Sequence, residues 1–270
     1  MINEIISLFT MAFFWSTLLV GFFIIKGGFE KKYLFTDNFV LAVLVGVASS
    51  LVKSHLGIST VLIFAILMPS LTFILFILLL LYRFFRNPNR NISKNINNVL
   101  SPADGRIIYI KELDKSSFPV SVKKKNMIKL EEITKTDILQ TPCYLVGIAM
   151  TLFDVHINRS PVDGNVILVQ HTDGDALGLR SPESTFVNER NTIVIKGQDN
   201  MLYGVIQIAA RGVRRCITSV KNTDKVEQGQ VIGKIRFGSQ VDLILPRCYV
   251  IKVREGDQVH AGLSVIASKE

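Results

Sequence analysis

Three kinds of side chain in this chain could together activate a nucleophile: an imidazole, a carboxylate and a serine hydroxyl. His156 stands in Phe153-Asp-Val-His-Ile-Asn-Arg-Ser-Pro161, just ahead of the turn Ser160-Pro-Val-Asp-Gly164. A strand end beside Pro and Gly is where a β fold exposes side chains to a pocket. Asp104 and Asp163 hold equivalent places in two Ser-Pro-x-Asp-Gly turns, although an Asp before a Gly is accounted for by the turn alone. Gly238-Ser239 sits between a strand-like run and the apolar run 241–245, pairing backbone freedom with a hydroxyl. Asp104, His156 and Ser239 could form a base-activated nucleophile, while ordinary turn and core roles remain open for each. His171, between a strand and Asp173-Gly174, is a candidate for the same pocket; His260, in a polar hairpin turn, is expected to face solvent. Cys143, Cys216 and Cys248 show no CxxC spacing and no nearby histidine, which reads as free thiols and no metal site.

The elements that must position these groups are short. From Asn91 onward, β-like runs at 106–110, 144–150, 165–169, 192–196, 203–210, 231–235 and 241–245 are bounded by Gly, Pro, Asp and Asn. Segment 115–137, with lysines at 123–125, reads as a solvated surface insertion. Two internal repeats are visible. Ser101-Pro-Ala-Asp-Gly-Arg-Ile-Ile108 recurs as Ser160-Pro-Val-Asp-Gly-Asn-Val-Ile167, and Asp224-Lys-Val-Glu-Gln-Gly-Gln-Val-Ile232 recurs loosely as Asp257-Gln-Val-His-Ala-Gly-Leu-Ser-Val265. The expected fold is therefore mainly β, a duplicated-hairpin barrel or barrel-sandwich. With no lysine at the hairpin tip, a cofactor carrier is a weak alternative.

The first third is of another kind. The 270 residues carry 31 Lys and Arg against 22 Asp and Glu, a net +9, and mean hydropathy is +0.36. Residues 1–82 hold only four of those cations and three of the anions, leaving 27 against 19 in 83–270. This pairing of apolarity with basic excess excludes a disordered chain and an ordinary cytosolic enzyme. Residues 5–25 and 60–82 are uncharged runs of 21 and 23; as helices they span roughly 31 and 34 Å, about one hydrocarbon core. The run 39–52 is only 14 long, so a short span, a re-entrant piece and a packed helix compete there. Lys26, Lys31 and Lys32 follow the first run, and Arg83, Arg86 and Arg90 follow the last. Both clusters can be cytoplasmic only if the middle run also crosses, which gives a three-span helical transmembrane anchor over 1–82 with its N-terminus outside. The basic domain 83–270 then stands at the cytoplasmic side of the cell membrane.

Six motifs occur in order: Arg83-Phe-Phe-Arg-Asn-Pro-Asn-Arg90, Ser101-Pro-Ala-Asp-Gly105, Phe153-Asp-Val-His-Ile-Asn-Arg159, Asn188-Glu-Arg-Asn191, Val205-Ile-Gln-Ile-Ala209 and Ile235-Arg-Phe-Gly-Ser-Gln-Val-Asp242. The series resembles the prokaryotic-type, pyruvoyl-dependent phosphatidylserine decarboxylases over about 83–270. The resemblance implies decarboxylation of phosphatidylserine to phosphatidylethanolamine in phospholipid biosynthesis. It also implies a zymogen cleaved autocatalytically at Gly238-Ser239 into chains 1–238 and 239–270 that stay associated without a covalent link. Ser239 would become a covalent pyruvoyl group whose ketone forms a Schiff base with the substrate amine. His156 would take the hydroxyl proton and Asp104 would orient the ring. No metal, diffusible cofactor or nucleic acid is implied, the membrane lipid is the partner, and a homo-oligomer is left open. For Glu189 and Arg190, a turn salt bridge is an equal reading. Two rival functions stand beside this one: a membrane-tethered serine hydrolase that uses the same triad and leaves the chain intact, and a non-enzymatic barrel-sandwich adaptor.

Overall fold

The computed structural model describes residues 2–27, 32–58, 62–114, 117–119, 127–139, 141–175, 177, 187–209, 215–236 and 239–269. Two compact units divide the chain, Met1–Phe84 and Phe85–Glu270.

In the first unit, α1 (Ile2–Gly27) and α2 (Lys32–Leu56) are followed by a π-helical turn (Ile63–Leu67) that runs into α3 (Met68–Phe85). Three stretches are long and apolar enough to cross a membrane: Ile2–Ile25, Phe35–Leu56 and Ile63–Phe85. Phe13, Phe14, Leu18, Phe22, Phe39, Phe73 and Leu78 point outward, while Leu8, Ala12, Val45, Ile63 and Met68 form the inner cluster. A helix apolar on all sides belongs in lipid. The short middle run becomes a 25-residue helix because its polar flanks find partners inside the unit. Asp37 pairs with Arg83, and Asn38 bonds Ser16 and donates to Thr17 at 2.7 Å. At the other end of α2, Lys53 meets Glu4 at 2.9 Å. The start of α2 thus lies by the end of α3, and its end by the start of α1, so neighbouring helices run antiparallel.

The second unit is mainly β. The strands are β1 (Asn98–Leu100), β2 (Gly105–Leu113), β3 (Ser117–Pro119), β4 (Met127–Lys129), β5 (Cys143–Met150), β6 (Ile157–Arg159), β7 (Gly164–Thr172) and β8 (Arg190–Gly197). There follow β9 (Leu202–Ala209), β10 (Arg215–Thr218), β11 (Lys225–Val226), β12 (Val231–Arg236), β13 (Ser239–Pro246), β14 (Val250–Ile251), β15 (Gln258–Val259) and β16 (Val265–Ser268). Eight of them make one curled antiparallel sheet in the order β11-β7-β8-β9-β13-β5-β2-β15. Two three-stranded sheets, β10-β12-β6 and β1-β16-β14, complete the unit with the β3-β4 hairpin.

β13 is buried on both faces, so apolar side chains point to either side of it, with Gln240 and Asp242 the buried polar exceptions. Val241, Leu243 and Leu245 enter a cluster with Val146, Ile148, Ile193 and Val205, while Ile244 enters a second with Leu145, Val194, Ile206 and Ile208. That second cluster is closed by Leu130, on the short helix α4 (Leu130–Thr134), and by Leu139. The reading of 115–137 as a surface loop is corrected here. Leu130 and Thr134 are buried, and Thr192 Oγ1 donates to the Thr134 carbonyl at 2.5 Å. The lysine-rich composition masked an apolar segment behind it; Lys123, Lys124 and Lys125 themselves lie outside the described residues.

The repeated turns share a bonding plan. Ser101 Oγ donates to the Ala103 carbonyl and Ser160 Oγ to the Val162 carbonyl, both at 2.7 Å. Ile107 N–H reaches the Asp257 carbonyl at 2.9 Å, and Val166 N–H reaches that of Asp224 at 2.8 Å. Each turn therefore docks against one copy of the other repeat. At Gly164 a Cβ would stand 2.3 Å from the Lys196 carbonyl oxygen, so the strands close only over a glycine. Gly164→Ala should destabilise the chain by about 1–3 kcal/mol, read as a lowered denaturation midpoint with the sheet content unchanged.

Candidate functional site

The first turn holds its aspartate in a cationic cradle. Arg90 donates from Nη1 to Oδ1 of Asp104 at 2.7 Å and from Nη2 to Oδ2 at 2.8 Å, a two-pronged ion pair with both side chains buried. The Ala261 N–H adds a bond to Oδ1 at 2.8 Å, and His260 Nδ1 lies 3.5 Å from Oδ2. Burial alone would raise this carboxyl, but the His260 and Arg90 contacts outweigh it and hold the group down at about 2. The repeat-equivalent Asp163 receives the matching backbone bond, from Gln228 N–H at 2.8 Å, and is half-buried. The two aspartates thus share a turn sequence and differ in their surroundings.

His156 is 2% exposed, at the entry to β6. Its Nδ1 is 2.9 Å from the Asp154 carbonyl, which can only accept, so Nδ1 carries the hydrogen and Nε2 the lone pair. Burial pulls the ring down to about 4, against the opposing pull of the Asp154 bond and the Asp104 charge. The imidazole is therefore neutral near pH 7 and able to accept a proton at Nε2. Asp154 itself is fixed by Thr151 N–H at 2.7 Å and by Gln258 Nε2 at 3.1 Å. The Arg159 N–H donates to the Pro102 carbonyl at 2.9 Å, tying the segment after His156 to the turn of Asp104.

Ser239 opens β13, opposite Met150 of β5 on one side and Ala209 of β9 on the other. Phe237 and Gly238 lie outside the described residues, as does the Ser239 side chain. The strand leading to them is anchored at the histidine, because Ile235 N–H donates to the His156 carbonyl at 3.1 Å. On the far side, Asn188 Nδ2 donates to the Ala209 carbonyl at 2.9 Å and the Ala209 N–H to the Glu189 carbonyl at 2.9 Å. Glu189 also accepts from the Cys216 N–H at 3.2 Å, and the buried Arg190 caps the Asn188 carbonyl. The Asn188-Glu-Arg motif thus holds the residue that faces Ser239.

His171 lies apart from Asp104 and His156, on β7, with Nδ1 2.6 Å from Asn191 Oδ1 and Nε2 3.2 Å from Asp173. A directional chain leads inward from it: Asn191 Nδ2 donates to Gln207 Oε1 (3.1 Å), Gln207 Nε2 to Asn158 Oδ1 (2.7 Å) and Asn158 Nδ2 to the Pro102 carbonyl (3.5 Å). The expectation for His260 needs correction. Its ring is 44% exposed, yet one nitrogen turns in towards Asp104. In the sequence reading Arg90 counted only as a flanking charge and as the end of one of the ordered motifs, with no role at the site. Superposing the two repeats was the available signal, since docking 257–265 on 101–105 puts His260 and Ala261 beside Asp104.

The profile of the phosphatidylserine decarboxylase family matches residues 77–267. The chain belongs to that family. It is accordingly a decarboxylase by descent. A putative archaetidylserine decarboxylase proenzyme from Methanocaldococcus jannaschii is 38% identical over 193 residues, 72% of this chain and 91% of the relative. Phosphatidylserine decarboxylase proenzymes from Carboxydothermus hydrogenoformans and Cytophaga hutchinsonii are 33% and 32% identical, covering 73% and 88% of this chain and 82% and 93% of those relatives. Within the matched region of this decarboxylase family member lie Arg90, Asp104, His156, Ser239 and His260.

His156 makes the site's stability pH-dependent. The folded chain keeps the ring unprotonated down to about 4, whereas an unfolded one takes up the proton near 6.5. In that window the unfolded state binds the extra proton, so this contribution falls as pH drops from 6.5 to 4 and is complete above it. It amounts to about 3 kcal/mol. In a Ser239→Ala background, denaturant titrations with and without His156→Gln should differ in pH dependence by that amount across the window; parallel curves would show that the ring titrates as if exposed.

Proposed function

We propose that the chain is a membrane-anchored, self-cleaving phosphatidylserine decarboxylase that makes phosphatidylethanolamine, with 1–82 as anchor and 83–270 as decarboxylase domain. The observation that carries this reading is the position of Ser239. It begins a strand bonded on both sides, directly after a strand whose backbone is bonded to a buried, neutral histidine. Relatives named as proenzymes support a maturation step. The repeated turns also support a duplicated-hairpin barrel-sandwich as the description of the β unit.

Ser239 Oγ would attack the Gly238 carbonyl carbon while His156 Nε2 takes the hydroxyl proton, and the C–N bond breaks as an ester forms, with that proton passing from His156 to the departing nitrogen. Asp104, already ionised and fixed by Arg90, acts on His156 through its negative charge and favours the imidazolium that results. Loss of the Ser239 α-proton with cleavage of the Cβ–O bond frees 1–238 as a carboxylate. Water then replaces the nitrogen, ammonia leaves, and 239–270 begins with a pyruvoyl group. That group would supply a ketone able to take up the substrate amine and the electron pair left by departing CO2. The strand neighbours of residue 239 in β5 and β9 would hold its backbone, and His156 would be able to return a proton to the product. The net +8 of residues 83–270 favours an anionic lipid surface, by about 1 kcal/mol for each basic side chain that reaches it.

A second reading concerns the substrate. Two archaetidylserine decarboxylase proenzymes, both named as putative, are 38% and 39% identical to this chain, above the 32–34% of the phosphatidylserine decarboxylase proenzymes beside them. CO2 release from vesicles of each serine lipid separates the two, and turnover of archaetidylserine alone would overturn the phosphatidylserine assignment.

Intact mass should reveal the 239–270 product with a blocked, ketone-bearing N-terminus, and Ser239→Ala should stay full-length and inactive. His156→Ala should stall uncleaved, whereas Asp163→Ala should cleave. An unmodified Ser239 in a fully active preparation, or reaction of the intact chain with a fluorophosphonate probe, would favour the hydrolase instead. An intact chain without activity would favour the adaptor.

The helix pairings Asp37–Arg83 and Glu4–Lys53 support three crossings, and the lysines and arginines flanking the first and last runs favour a decarboxylase domain in the cytoplasm. In a chain lacking Cys143, Cys216 and Cys248, an impermeant maleimide added to intact cells should label a cysteine placed at Ser54 but not at Gly28 or Ser116. Labelling at Ser116 would reverse the orientation and leave the chemistry untouched.

A further inference from the structure

One face of β13 carries a buried polar cluster that the chemistry above does not use. Gln240 and Asp242 are 2% and 0% exposed. The Tyr109 hydroxyl lies 2.8 Å from each carboxylate oxygen of Asp242. Gln240 Nε2 reaches the Tyr109 oxygen at 2.8 Å and Asp242 Oδ1 at 2.6 Å. Asp242, Gly147 and Tyr109 form one row across β13, β5 and β2, and a Cβ at Gly147 would lie 2.4 Å from the Tyr109 ring. Glycine at that position is what lets the phenol cross β5 to the carboxylate. Arg190, fully buried on β8, supplies the facing positive charge, with half-buried Lys111 adding to it. Burial raises the Asp242 carboxyl to about 6, with Gln240, Tyr109 and Arg190 pulling it back.

The rest of β13 specifies its pairing poorly. Val241, Leu243 and Leu245 face one apolar cluster and Ile244 the other, so a slip by one residue would exchange one apolar surface for another. Asp242 forbids the slip. Shifted by one place, its carboxylate would enter the cluster of Val146, Val205 and Leu243, and Tyr109 and Arg190 would lose their buried partner. Fixing register is the best-attested use of a buried polar group.

We propose that Tyr109, Arg190, Gln240 and Asp242 form a register lock on β13 that sets the position of Ser239, making them positioning residues for cleavage. The proposal rests on cleavage at Gly238-Ser239. A misplaced hydroxyl meets the Gly238 carbonyl less often. An ester held out of line can also be hydrolysed before elimination: water adds to the ester carbonyl, freeing 1–238 as a carboxylate and 239–270 with an intact N-terminal serine.

The test compares processing with stability in the full chain. Wild type must first yield the 239–270 product; if it does not, the cleavage reading itself fails. Tyr109→Phe should then slow processing about tenfold, the size of losing one hydrogen bond to a charged group, and raise the share of product beginning with serine. The quadruple variant Tyr109→Phe/Arg190→Met/Gln240→Leu/Asp242→Leu, in which no cluster member is left unpaired, replaces the polar cluster with apolar volume, an exchange that often preserves stability. It should keep its melting temperature and still process slowly or heterogeneously. If the quadruple variant does not fold, Tyr109→Phe decides. A folded variant that processes at the wild-type rate, with only pyruvoyl-terminated product, would overturn the lock.

Discussion

Everything at the site depends on β13 being bonded along both edges. Its first residue faces Met150 and Ala209, and its last pairs with Cys143 of β5. Strand ends ordinarily fray, and a reactive serine at a fraying end would sample many positions. Here the neighbours are held in turn: Ala209 by Asn188 and Glu189, and the preceding strand by the carbonyl of His156. The sheet supplies rigidity where the proposed chemistry needs a hydroxyl brought against an adjoining carbonyl. The same pairing explains why so much polarity is buried around one strand. Gln240, Asp242, Tyr109 and Asn188 each find a partner within this arrangement.

The duplicated turns show how local identity and chemical difference coexist. Asp104 and Asp163 share turn residues, serine bonds and a backbone donor from the opposing hairpin. What separates them comes from elsewhere in the chain: Arg90 from the segment before β1, and His260, which takes the place of Glu227 in the hairpin repeat. A buried two-pronged ion pair keeps its charge at any ordinary pH, so Asp104 acts as a fixed negative field. Its function is set by neighbours a turn-level reading cannot see.

Much of the architecture was written in local pattern. Each of the seven β-like runs coincides with a strand over its described residues, because alternation and flanking turn residues report burial directly. The apolar run at 5–25 is helical, as is the run at 60–82 from Ile63 onward, for similar reasons. The middle helix was underestimated because hydropathy treats Asp37 and Lys53 as ends, whereas each finds an opposite charge on another helix. Leu130 and Leu139 went unnoticed beside a lysine cluster that dominated the composition of their segment. At the site, His156 and Ser239 stood out through motif context, while Arg90 and His260 depend on contacts across 14 and 156 residues. Pairings over such distances leave little trace in one sequence.

The distribution of β13 to β16 has a consequence for the protein's lifetime. Everything after Ser239 is woven through the unit: β13 and β15 into the large sheet, β16 between β1 and β14, and Lys269 onto Asp199 at 2.7 Å. Once the proposed cut is made, the two pieces share one core but no longer share one chain. The loop-closure advantage that first brought them together is gone. The mature enzyme would then be a structure its own pieces have no fast route back to, and its endurance would be governed by the height of the barrier to coming apart. Such a molecule ages rather than equilibrates, and a cell that needs more activity must synthesise it anew.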